Sequence, residues 1–148
     1  MFIFIRLLLA HFIGDYPLQF NLIYRFKNKG LKGIIPHALL IIASLILLCW
    51  PYLNLPRLWL FILFVGLTHL IQDSMKLGYG KIRYSFWIYL LDQFLHILII
   101  SAVFLTDLIK IQPLKEPSGL IASWYNNDAL IIYLIAVIAA TYNGFYLI

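Results

Sequence analysis

Long apolar segments alternate along this chain with shorter segments that are basic or contain proline and glycine. A helix that crosses a bilayer needs about 20 apolar residues, and fewer where it is partly buried in a bundle. Five segments meet this description, at about residues 2–16, 37–50, 57–77, 84–107 and 128–147. The pattern therefore predicts an all-α protein, a polytopic transmembrane helical bundle of about five helices. We expect a single integral membrane domain over residues 1–148.

The segments between these helices also carry predictions. Because proline interrupts a helix, Pro17 is expected to close the first helix and Pro36 to precede the second. Residues 17–33 mix aromatic and basic side chains, which predicts a strip that lies flat on lipid headgroups. Residues 108–127 are expected to form a loop, with Asn127 or Asp128 as the N-cap of the last helix.

Composition supports a membrane protein. Hydrophobic residues make up 64% of the chain and its mean hydropathy is +0.93, whereas soluble domains are about 45–50% apolar. A single cysteine, Cys49, excludes an internal disulfide and a cysteine zinc site. The first apolar segment is interrupted by polar residues and has no signal-peptide cleavage site, so we expect a retained helix.

The net charge of +5 does not indicate a nucleic-acid partner, because the basic residues lie at the predicted membrane edges. They are most frequent in residues 17–33 and in the connection between the third and fourth helices. By the positive-inside rule, the N-terminus is expected outside and the C-terminus in the cytoplasm. The lipid bilayer is the expected partner of this multi-pass protein.

Ionisable residues interrupt four of the apolar segments. All four histidines and three of the six acidic residues lie there, namely His11, Asp15, His37, His69, Asp73, Asp92 and His96. Six of the seven form pairs spaced by four residues, which places both members of a pair on one helix face. Such groups cost a few kcal/mol each in a bilayer and usually mark function. With the predicted topology they lie at overlapping depths in the cytoplasmic half, which predicts one site.

Imidazole and carboxylate groups together are typical ligands of a divalent metal, with zinc as the first choice. The predicted metal ligands are His11, Asp15, His69, Asp73, Asp92 and His96. The predicted catalytic groups, as general base or acid, are Asp15, Asp73, Asp92 and His37, and His37 is alternatively a further ligand. A metal with an open coordination position activates water. The leading hypothesis is hydrolysis of a lipid-linked or phosphate-containing substrate.

Two other functions fit the same residues. The first is a small transporter or proton pathway, which needs a homo-oligomer or a membrane partner protein because five helices are few for a transporter. The second is a non-catalytic scaffold held together by His–Asp hydrogen bonds. Interhelical polar contacts average under about 1 kcal/mol, whereas an ionised Asp costs about 3 kcal/mol, so the scaffold is the costlier use. Lys76 is expected to extend towards lipid headgroups, and the alternatives are that it neutralises Asp73 or holds an anionic substrate.

Three blocks carry a resemblance to a known family. They are A-H-F-I-G-D-Y-P-L-Q (10–19), T-H-L-I-Q-D-S-M-K (68–76) and L-D-Q-F-L-H (91–96). Over about residues 8–100 the chain resembles small bacterial integral membrane proteins grouped as a domain of unknown function. The matching positions are His11, Asp15, Gln19, His37, Asp73, Asp92, Gln93 and His96. The resemblance implies a helical inner-membrane protein without an established activity. A fainter likeness, to membrane-bound proteins labelled as metal-dependent hydrolases, rests on the His/Asp-rich helices.

Overall fold

The computed structural model describes residues 3–27, 29–80, 85–113 and 117–147, and for Asn21 and residues 143–147 it describes the backbone alone. These residues form an all-α bundle, as predicted. Its helices are α1 (Ile3–Asp15), α2 (Asn21–Lys27), α3 (Leu31–Leu48), α4 (Pro56–Gly78), α5 (Phe86–Ser101), α6 (Gly119–Tyr125) and α7 (Asp128–Leu147). Short 3-10 turns follow α3 and α5. The predicted helix starts at residues 2 and 84 lie outside the described residues.

The central helix of the bundle is α1. It packs against α3, α5 and α7, and most of its residues are buried. Its 13 residues give a length of about 20 Å, less than the roughly 30 Å of a hydrocarbon core. The other long helices pack in sequence, α3 on α4 and α4 on α5. This arrangement encloses the polar residues of α1 within the bundle.

Within the described residues, three helical stretches are long and apolar enough to cross a membrane: Leu31–Leu48, Pro56–Gly78 and Phe86–Leu105. A fourth span arises if α6 and α7, which meet at an angle of 65°, are taken together. Leucines such as Leu47, Leu60 and Leu67 are exposed on the outside of these helices, which suits contact with lipid chains. The bundle therefore has the helices of a multi-pass membrane protein.

Two predicted loops contain helices instead. The segment 17–33 includes α2, and α3 begins at Leu31 rather than after Pro36, which lies inside that helix. A proline removes only one backbone donor, so the packing of a long apolar helix outweighs the loss. The segment 108–127 includes α6. The predicted cap of the last helix is present, because the Asn127 side chain accepts a hydrogen bond from the Leu130 amide at 3.0 Å.

A buried arginine joins α1 to the bend between α6 and α7. Arg6 is fully buried, lies 2.8 Å from Asp128 Oδ1 and donates a hydrogen bond to the Tyr125 carbonyl at 2.6 Å. Its guanidinium also lies over the Tyr125 ring, 4.9 Å from the ring centre. The Tyr125 hydroxyl donates to the Leu48 carbonyl at 2.6 Å. These contacts connect α1, α3 and the α6–α7 pair at one end of the bundle.

Candidate metal centre

Two histidines and two aspartates form the middle of the site. His37 Nε2 lies 3.0 Å from Asp15 Oδ1 and 3.1 Å from His69 Nε2. His69 Nε2 lies 3.2 Å from Asp73 Oδ2 and 3.6 Å from Asp15 Oδ1. His37 Nε2 is also 3.5 Å from Asp73 Oδ2. All four side chains are buried, so α1, α3 and α4 each contribute to one compact group of donor atoms.

Three further residues extend this group towards α5. His96 Nδ1 donates to the Asp92 backbone carbonyl at 2.7 Å, an assignment that places the proton on Nδ1 and leaves a lone pair on Nε2. That Nε2 is buried and has no hydrogen-bond partner in the described part of the chain. The same holds for both ring nitrogens of His11, whose ring stacks on His96 with centroids 5.0 Å apart. Buried nitrogens without partners are costly unless a ligand binds them.

Two lysines neutralise the carboxylates at the edge of the site. Lys27 Nζ lies 2.8 Å from Asp73 Oδ2, and Lys76 Nζ lies 2.5 Å from Asp92 Oδ2. Burial lowers the pKa of Lys27, but the Asp73 and Asp15 carboxylates outweigh burial and hold that pKa above its ordinary value. The prediction that Lys76 extends towards headgroups is therefore wrong, because a nearly buried carboxylate attracts its ammonium more strongly than solvent does.

The position of Lys27 follows from close packing of α2 on α3. A side chain at Gly33 would collide with the Phe26 backbone carbonyl, so only glycine allows this approach. Lys27 is the last residue of α2, and its side chain is 16% exposed. When the Gln19 amide is oriented to satisfy both its partners, it donates to the Asp15 carbonyl and accepts from Lys27 at 3.2 Å. The chain after α1 thus folds back over the site.

A chain of tyrosines and amides was not predicted from the sequence. The Tyr16 hydroxyl lies 2.7 Å from the Tyr89 hydroxyl and donates to Gln93 Oε1 at 2.8 Å. Gln93 Nε2 in turn lies 3.4 Å from Asp92 Oδ2. Tyr16 directly follows Asp15, and Gln93 directly follows Asp92. Their position next to ionisable residues is the sequence feature that could have identified them as part of the site.

The structure brings all seven sequence-derived candidates together. Three overlapping groups have one donor atom per residue within 4.8 Å of one another. These groups are His11–Asp15–His69–His96, His37–His69–Asp73 and Asp73–Asp92–His96. Such groups could hold a metal ion. Lys27 is the member of the site that the sequence analysis did not select, since it is one of four basic residues in segment 17–33.

The comparison with protein families identifies the group to which this chain is related. A family model described as "Protein of unknown function (DUF3307)" matches residues 3–117. The chain belongs to this family. The match contains every histidine and aspartate of the site, which confirms the expected link to a family of unknown function. No curated protein and no solved structure matches the chain.

Because the family is described only as one of unknown function, the first test of the site comes from its geometry. Lys27→Gln removes the ammonium that neutralises Asp73, and we expect it to tighten zinc binding by about 10-fold or more. The reason is that a divalent ion and the lysine compete for the same carboxylate. Zinc titration of the purified protein measures the change. Lys29→Gln is the matched control, because Lys29 is exposed and lies beside Phe26. Unchanged or weaker binding in Lys27→Gln would contradict the competition.

Proposed function

We propose that the buried His/Asp group is a divalent-metal centre, with zinc as the first choice, that hydrolyses a lipid-linked or phosphate-containing substrate. The observation that carries the proposal is the spacing of the donor atoms of His37, His69, Asp15 and Asp73. Their five N–N and N–O separations are 3.0 to 3.6 Å. Ligands about 2.0–2.1 Å from a tetrahedral zinc are about 3.3 Å apart. The group is therefore spaced as metal ligands are.

The donor set also suits hydrolysis. A divalent ion here would keep a position open for water either by using three of these four ligands or by becoming five-coordinate, and it would lower the pKa of that water and polarise a phosphoryl group. A nearby carboxylate, such as Asp92, would accept the proton of that water. The water oxygen would bond to phosphorus as the bond from phosphorus to the leaving oxygen breaks, and Asp92 would return the proton to that oxygen. Lys76, which pairs with Asp92, would stabilise the phosphate charge.

A cleft between α4 and α5 supports a substrate that arrives from the lipid. Its volume is about 50 Å³, and its apolar wall includes Met75, Leu91 and Leu95, which are exposed on the outside of the bundle. The polar end of the cleft is the Lys76–Asp92 pair. A volume of about 50 Å³ is far below the roughly 300 Å³ of a small ligand pocket, so a lipid chain would lie along the outside of this cleft with only its polar end beside the metal ligands.

The proposed location is the bacterial inner membrane, with the site facing the cytoplasm. This orientation rests on the positive-inside rule and on the basic residues near the site. Two of these, Lys27 and Lys76, form ion pairs with carboxylates of the site. Polyprenyl diphosphates and phosphatidic acids both have an apolar chain and a phosphate end, and a polyprenyl diphosphate serves as the test substrate.

The test is release of inorganic phosphate from a polyprenyl diphosphate in mixed micelles by zinc-loaded protein. We expect His69→Ala to lower the rate by at least about 100-fold, because a ligand of the central group is lost. Asp107→Asn is the control, since Asp107 is an exposed carboxylate whose side chain is outside the group. Metal content well below one equivalent, unchanged after loading, would contradict the metal centre.

A proton pathway is the second candidate. The buried contacts of His37 with Asp15 and His69 favour it, because successive carboxylate and imidazole groups can pass a proton. Proteoliposomes would distinguish the two functions. Proton uptake by metal-free protein that is abolished in Asp92→Asn supports the pathway, whereas uptake that is absent in the wild type rejects it.

A further inference from the structure

The two oxygens of the Asp15 carboxylate face different histidines. Asp15 Oδ2 lies 3.5 Å from His11 Nε2. Asp15 Oδ1 lies on the other side, 3.0 Å from His37 Nε2 and 3.6 Å from His69 Nε2. A carboxylate can bind one metal ion with each oxygen, and in sites with two ions such groups hold the ions about 3.5–4 Å apart. Asp15 is placed to act in this way.

The other ligands divide into two sets on either side of Asp15, although His69 also lies within 4.8 Å of the first set. The sets are His11, Asp15 and His96 on one side, and His37, His69 and Asp73 on the other. In each set, one donor atom per residue lies within 4.8 Å of the others. Each set contains two imidazoles and one carboxylate, the ligand type found in catalytic zinc sites. The ligands therefore suffice for two ions.

Both sets contain buried ring nitrogens without a hydrogen-bond partner among the described residues. In the first set these are His96 Nε2 and both nitrogens of His11. In the second set they are His37 Nδ1 and His69 Nδ1, whereas the two Nε2 atoms contact each other at 3.1 Å and His69 Nε2 contacts Asp73 at 3.2 Å. An ion in the first set would bind His96 Nε2 and one nitrogen of His11, which no described side chain satisfies.

We propose that the site binds two divalent ions, bridged by the Asp15 carboxylate. His11 and His96 hold one ion, and His37, His69 and Asp73 hold the other. This inference rests on the proposed metal centre and adds the number of ions that the centre holds. Two adjacent ions suit phosphoryl transfer, because one stabilises the attacking oxygen and the other the leaving oxygen. The substrate class would then be phosphate esters and diphosphates.

The number of bound ions tests the inference. Metal-free protein in detergent is titrated with zinc, and bound zinc is measured by elemental analysis after gel filtration. We expect about two equivalents for the wild type and about one each for His96→Ala and His37→Ala. The Asp107→Asn control should retain two. A single equivalent in the wild type overturns the two-ion centre but keeps the proposed function, whereas no bound zinc overturns both.

The distance between the ions requires a separate measurement that does not depend on variants. Wild-type protein loaded with Mn²⁺ should give the electron paramagnetic resonance spectrum of an exchange-coupled pair, because ions about 4 Å apart share a bridging ligand. A spectrum of two uncoupled ions overturns the bridge. If His37→Ala or His96→Ala fails to fold, this wild-type spectrum still decides the question.

Discussion

Asp15→Asn is expected to abolish metal-dependent hydrolysis, lowering the rate by at least about 100-fold, and to reduce bound zinc from about two equivalents to one or fewer. Asn retains the shape of Asp and can still accept a hydrogen bond from His37, but it has no charge and binds zinc poorly. The measurements are phosphate release and elemental analysis. Asp107→Asn makes the same chemical change at an exposed position and should alter neither.

The stability of metal-free Asp15→Asn separates the metal centre from a structural scaffold. An ionised carboxylate inside a membrane bundle costs about 3 kcal/mol, so its removal should leave the free energy of unfolding unchanged or increase it. If hydrogen bonds of Asp15 instead hold the helices together, the same variant should unfold more easily. Reversible unfolding in SDS micelles gives this free energy. Loss of stability without any change in metal content would support the scaffold.

Arg6→Ala is expected to lower the free energy of unfolding by about 2–3 kcal/mol. The variant leaves a cavity in α1, removes the ion pair with Asp128 and deprives the Tyr125 carbonyl of a donor. This loss is smaller than the roughly 3–5 kcal/mol expected when a fully buried ion pair is broken, because the Asp128 side chain is 41% exposed. Unfolding in SDS micelles measures the change.

The matched control for Arg6 is Arg57→Ala. Arg57 also pairs with an aspartate on another element, Asp107, but at 3.4 Å and with both side chains about four-fifths exposed. Exposed pairs contribute little, so we expect a change of less than about 0.5 kcal/mol. Equal effects of the two variants would show that burial of Arg6 does not matter. Zinc binding should persist in both, because neither arginine belongs to the His/Asp groups that could hold a metal.

The helices could be predicted from the sequence for a general reason. In lipid every backbone donor and acceptor must be satisfied within the chain, so long apolar segments form helices. The predicted 57–77 and 128–147 agree closely with α4 and α7. The short helices α2 and α6 were not predicted, because a helix of seven residues is unstable alone and depends on tertiary packing. The prediction that the second long helix begins after Pro36 was wrong because it also depends on tertiary packing, which lets α3 continue through the proline.

The site could be predicted in part. Ionisable residues in apolar segments are conspicuous because of their cost, so all seven histidines and aspartates were selected. Which of them touch depends on how the helices cross, and periodicity contains no information on that. The contact of His37 with both Asp15 and Asp73 is one example. Lys27 is another, because a lysine in a basic segment looks like any other until α2 packs on α3.

The sequence by itself determined the class of this protein and the residue types of its site. Long apolar segments had to form helices in lipid. The cost of burying His11, Asp15 and the other five histidines and aspartates indicated that all seven belong to one site. The tertiary structure alone decided the pairing: which oxygen of Asp15 faces His11, which faces His37, and which lysine neutralises each carboxylate. The physical reason is that sequence spacing sets the face of one helix, whereas distances between helices arise from packing.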